Sequence, residues 1–205
     1  MLYKKIKEMN SIAYLTLMSI VQGVALSFFT EIVIKEYTGY SSSSWVMVMA
    51  SLFVLVLTWF EYLKGVTLFV WRYDFIDSCI PFLFFIVEVC LIQTMSAKEG
   101  WWFFWMFMFC TLALIAFLNQ YFKARKENEN DNIRRFIGKK EFRPMWFSVG
   151  SAILFMCFWR WRNDANEMVL AVISLGMLLW FTMLSSSDWR HANNYAKSMR
   201  QTQGR

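Results

Sequence analysis

The sequence predicts an all-α membrane protein: a polytopic bundle of about six transmembrane helices, four long plus a shorter C-terminal pair, with both termini in the cytoplasm. Three observations lead there. Hydrophobic residues make up 58% of the 205-residue chain, where soluble domains run at about 45–50%. The apolar excess is gathered into blocks, several of them as long as the ~20 residues that a bilayer span needs. The basic residues are sorted as well. With six spans, 16 of the 21 Lys and Arg fall on one side and 4 on the other, with Lys64 inside a span. Such a bias marks the richer side as cytoplasmic.

Each element follows from the local sequence. Residues 1–10 are a basic start with Lys4, Lys5 and Lys7, and the first span follows at about 11–34. This run extends past a typical signal-peptide core and has no small-residue cleavage site after it, so it reads as a span. Thr16, Ser19, Gln22, Gly23, Ser27 and Thr30 recur at spacings of three and four, and so share a helix face. Small residues let helices approach closely in lipid, so this face is expected to pack against another helix. Residues 35–44 are a polar loop, stopped by Gly39 and a run of serines. Spans two (45–71) and three (75–96) form a hairpin about the Arg72-Tyr73-Asp74 turn, and this hairpin is the centre of the bundle. A short SAKEG turn leads to span four, 101–122.

Residues 123–144 are a basic cytoplasmic loop, and Pro144 suits the first turn of the next helix. Spans five (145–159) and six (168–184) are short, with Arg160 and Arg162 placed to snorkel outward between them; four full spans with this pair only partly inserted is the alternative reading. Residues 185–205 form a polar cytoplasmic tail. The whole of 1–205 is one transmembrane domain, with no length left for a separate soluble one. Trp45, Trp71, Trp101, Trp102, Trp146, Trp159, Trp161 and Trp189 stand near span ends, as an interfacial aromatic belt requires. Residues 19–29 and 147–157 resemble each other faintly, as inverted repeats of a transporter would.

Several function classes lack their parts. Walker A, GxSxG and HExxH sequences are absent, so no catalytic residue is assigned and no enzymatic activity is expected. Cys79, Cys90, Cys110 and Cys157 all lie in apolar runs without a CxxC pair, and the single histidine, His191, lies outside the spans. They read as packing thiols, with no metal site, haem or other cofactor expected. Topology accounts for the net charge of +6. Without aromatic interleaving, no direct nucleic-acid binding is expected.

The informative residues are the ionisable ones inside apolar sequence, each costing about 2.5–3.5 kcal/mol to insert. Glu61, Lys64, Asp77, Glu88 and Gln22 form a predicted intramembrane polar cluster. Glu61 and Lys64 are three residues apart and can pair, or Lys64 can reach across the hairpin to Asp77 or Glu88. Asp77, Pro81 and Glu88 share a face, and Pro81 frees the carbonyl of Asp77 at the inner mouth. Three carboxylates against one lysine leave Glu88 as the expected unpaired group, one that would be protonated if it faced lipid. The cluster reads first as a register-fixing device and second as an ion or proton path. Arg134, Arg135, Lys139, Lys140 and Arg143 form a predicted docking patch for a cytosolic protein partner or anionic lipid.

The chain resembles, in type, small multi-pass bacterial membrane proteins, including membrane components of phage-defence systems, a resemblance that carries over no residues. The expected function is a non-enzymatic inner-membrane sensor or anchor subunit. It would self-associate as a homo-oligomer in the lipid bilayer and work with a cytosolic partner. An ion-conducting channel using the intramembrane carboxylates is the second expectation, and a small secondary transporter the third.

Overall fold

The computed structural model of the chain describes residues 2–69, 74–95, 100–126, 142–163 and 166–203, with side chains described at 13–191 within those ranges and at Asn194. The described residues form six helices and no strand: α1 (Leu2–Glu36), α2 (Ser42–Leu68), α3 (Phe75–Gln93), α4 (Trp101–Lys126), α5 (Arg143–Trp161) and α6 (Glu167–Gln203). Lipid offers no hydrogen bonds to a backbone, and a helix satisfies its own. Five of the six are long and apolar enough to cross a membrane, all except α5. Outward-facing Ile20, Val56, Ile86, Ile153 and Val169 suit a lipid surround.

The connections are capped as their residues allow. A short 3₁₀ turn, Tyr37–Gly39, ends the first crossing, and α2 starts inside the serine run, earlier than Trp45. Ser41 is its N-cap, its hydroxyl accepting from Ser44 N–H at 3.1 Å. Asp74 caps α3 through a reciprocal box with Asp77, which satisfies two backbone N–H groups (3.1 and 3.0 Å). α3 runs through Pro81. Gly100 enters α4 at φ +70°, a conformation that side-chain-bearing residues rarely adopt. Pro144 sits in the first turn of α5 as expected.

The helices pack about one apolar core that includes Val54, Phe84, Trp102, Phe103, Met106 and Phe155. α4 and α5 are antiparallel along their whole length. Trp101 and Phe104 meet Trp159 at one end, and Tyr121 meets Phe142 at the other. Arg143 and Arg160 bracket the apolar part of α5 about 26 Å apart, at ~1.5 Å per residue. α5 therefore crosses alongside α4 although its own apolarity is weaker, and an even number of crossings returns both termini to one side. α2 and α6 run parallel in strict register: Ser43 bonds Glu167 (3.4 Å), and, 18 residues further along each helix, Glu61 bonds Ser185.

α6 continues as one helix to Gln203, through most of the predicted tail. Three expectations are revised. Trp102 is fully buried and donates to Ser51 (3.0 Å), so it is a core residue and no part of the belt. Arg162 turns inward, pairs with Glu167 at 2.9 Å and covers Gly100, where any Cβ would strike it. The matching segments 19–29 and 147–157 lie on α1 and α5, which cross in the same direction, so they are not an inverted pair.

Candidate functional site

The predicted polar cluster resolves into three separate centres. α1 packs on α2 and α3, burying Tyr14, Met18, Val21, Gln22, Ala25 and Phe29. Thr16, Ser19, Gly23, Ser27 and Thr30 face outward, so the small-residue stripe is not packed within the chain as expected. The face opposite the stripe, with Tyr14, Met18, Val21, Ala25 and Phe29, is the one that fills the bundle. Gln22 is the one polar member turned inward.

Gln22 meets Glu88 of α3. Its Nε2 donates to both carboxyl oxygens, at 3.2 and 3.0 Å. Glu88 is 0% exposed and Gln22 8%. The buried hydroxyl of Thr58, on α2, also interacts with the Glu88 carboxyl. Thr58 donates its own proton to the Val54 carbonyl, at 2.9 Å. No Lys, Arg or His pairs with Glu88 among the described residues.

The second centre joins α2 to α6. Lys64 pairs with Glu61 at 2.5 Å, as its spacing predicts, and donates to Ser185 at 2.7 Å. Ser185 in turn donates to Glu61. Lys64 is thus committed here, and neither Asp77 nor Glu88 is its partner.

The third centre fastens α3 to α4. Buried Asp77 accepts from Asn119 (2.8 Å) and pairs with Lys123 (2.8 Å). Lys123 also pairs with Asp74 at 2.7 Å. Asp74 lies outside the spans, and the Lys123 ammonium holds its carboxyl below the usual value.

A cavity of about 90 Å³ lies between these centres in the inner half of the bundle. Its polar lining includes Thr58, Glu61, Tyr62, Asp77 and Asn119, and phenylalanines such as Phe84 and Phe109 form much of the rest. Tyr62 is packed in the wall against Tyr14, with ring centroids 5.7 Å apart.

Of the predicted docking patch, Arg134, Arg135, Lys139 and Lys140 lie outside the described residues. Arg143 sits on the first turn of α5 and reaches Asp188 of α6 at 3.6 Å, so it helps to tie the bundle's end together. Sequence reasoning placed Lys123 in the loop and passed over Asn119, Thr58 and Ser185. One signal was available for Lys123: it and Asp77 lie equally far from Gly100, where the α3–α4 hairpin turns.

The centres can fix helix positions, hold a proton or shelter water. Among the described residues no three His, Cys, Asp or Glu come together as a metal group would require. Comparison with protein families, with curated proteins and with solved structures finds no match to this chain.

Proposed function

We propose that this multi-pass membrane protein is a non-enzymatic sensor or anchor subunit of the bacterial inner membrane, acting as a homo-oligomer with a cytosolic partner. The observation that carries the reading is the continuity of α6. One helix leads from Glu167, through the apolar span, to Gln203. Inside the bundle it is gripped by Glu61 and Lys64 at Ser185, and by Arg143 at Asp188. A shift of α2 against its neighbours is therefore transmitted to the protruding end without a joint. The partner would meet that end and the basic loop 123–144. The setting proposed is phage defence, on the type resemblance alone. Unchanged plaque formation after deletion would remove that setting and leave the subunit reading.

Charge reversal at Arg134, Arg135, Lys139 and Lys140 should release a co-purifying cytosolic protein while the unfolding temperature stays the same. Asn194→Pro, which breaks α6 beyond the bundle, should likewise uncouple the partner without unfolding the spans. A partner retained in both variants, or none captured by in-cell crosslinking, overturns the reading.

Glu88 supports a second reading, an ion-conducting channel, because it is a carboxylate at the bundle interior with no cationic partner among the described residues. Planar-bilayer recording decides between the two. A subunit of the first kind passes no steady current. A cation current abolished by Glu88→Gln would establish the channel.

A further inference from the structure

We propose that Glu88 is an exchangeable proton-binding site, reached from the cytoplasmic side through the inner cavity, with Gln22 and Thr58 as its positioning residues. This goes beyond the subunit reading and does not depend on there being a partner.

Charge is the first ground. Glu61 has Lys64, and Asp77 has Lys123. Glu88 is the most buried of the three and has only a neutral amide and a hydroxyl. An ionised carboxylate in such a place keeps its full desolvation cost, whereas a proton cancels the charge.

The second ground is the direction of the hydrogen bonds. The single proton of Thr58 goes to Val54. While that proton is held by Val54, the hydroxyl can only accept from Glu88, which a carboxylic acid satisfies and a carboxylate does not. Gln22 Nε2 donates across both carboxyl oxygens, and a protonated carboxyl still offers it the carbonyl oxygen. The Gln22 Oε1 is buried without a partner, so the amide is held by its bond to Glu88 alone. The step is a plain transfer: a hydronium ion gives its proton to a carboxylate oxygen, an O–H bond forms, water is left, and nothing is oxidised or reduced.

The route is the third ground. Thr58 both touches Glu88 and lines the cavity, whose other polar walls, Asp77 and Asn119, lie toward the inner end of the bundle. One water needs ~10–15 Å³ of such space, so about 90 Å³ has room for several along the polar side chains of the wall. The neighbouring titratable groups are few. α2 brings Tyr62, in the cavity wall, and the Glu61–Lys64 pair. α4 brings Cys110 in the cavity wall, and Lys123 bound to Asp77. α1 offers Gln22 at the carboxyl itself and Tyr14 in the cavity wall.

Infrared difference spectroscopy on the full-length protein in phospholipid vesicles tests this. Stepping the pH should raise and abolish a protonated-carboxyl stretch reversibly. The band should be missing in Glu88→Gln and moved to higher frequency in Thr58→Val, where the acceptor is gone. On transfer to heavy water the band should shift, several-fold more slowly in Ala113→Leu, which fills the cavity. Should Glu88→Gln fail to fold, the Thr58→Val frequency shift decides alone. A band that survives in Glu88→Gln, ignores Thr58→Val, or responds to neither pH nor heavy water overturns the proposal. So does a band controlled by sodium concentration at fixed pH, which would assign the site to a metal cation.

Discussion

Asp77 is the most heavily committed carboxylate on the inner side, since the α3 cap, Asn119 and Lys123 all converge on it. Breaking a buried pair costs far more than the pair contributes, because one charge is left stranded. Lys123→Met should therefore lower the stability of the detergent-solubilised protein by about 3–5 kcal/mol, and adding Asp77→Asn should recover much of it. A loss no larger than that of Arg125→Met, at an exposed position, would show that Asp77 has not been stranded. Asp74 has a separate pH signature. Its carboxyl is held below its ordinary 3.8, by Lys123 foremost. The unfolded chain thus binds the proton more readily. The stabilisation is complete above that ordinary value and disappears as the pH falls through the lowered one. Acid-melting curves of the wild type should accordingly drop more steeply below about pH 3.8 than those of Asp74→Asn. Asp74 is about half exposed, so the difference will be small but should keep this sign; parallel curves would deny Asp74 the role.

Between α2 and α4, the Gln120 side chain reaches across to Gly65. A Cβ on Gly65 would overlap the Gln120 amide, the far end of a flexible side chain. Gly65→Ala should therefore cost little, Gly65→Leu about 1–3 kcal/mol as overpacking, and Gln120→Ala should relieve the larger variant. If thermal melts show Gln120→Ala bringing no relief to Gly65→Leu, the contact lies elsewhere. How much of the site could be read in advance depends on which helices meet. Pairs within one helix were legible, as Glu61 and Lys64 show, because helical geometry alone sets them. Pairs across a hairpin were legible in principle, as Asp77 and Lys123 show by their equal distance from Gly100. The Ser185 bond to Glu61 was not. It joins parallel helices more than a hundred residues apart, and nothing local chooses α6 as the neighbour of α2. Trp102 misled for a related reason: a tryptophan near a span end suits the belt or the core equally well until the neighbours of its face are known.

For the molecule as a whole, six crossings follow from α5 lying along the full depth of α4, although apolarity alone would pass over it. The sorting of lysine and arginine then assigns both termini to the cytoplasm. The same arrangement leaves α1 at the edge, with its small face turned to lipid. Ser19, Gly23 and Ser27 repeat at four-residue intervals on that face, and a Cβ on Gly23 would meet nothing within 4 Å. In lipid, such a face is an approach surface for another helix. A second copy of α1 is the natural occupant if the protein self-associates. Gly23→Ile separates folding from assembly, because the added bulk touches nothing in its own chain. Its unfolding temperature should match that of the wild type, while energy transfer between donor- and acceptor-labelled copies in vesicles should fall toward the level expected of random mixing. Gly150 and Gly176 also lie open, so Gly176→Ile on α6 is the matched control and should leave energy transfer unchanged. If Gly176→Ile disrupts association and Gly23→Ile does not, the copies meet through α6, and the cytosolic ends of that helix would then be brought together directly.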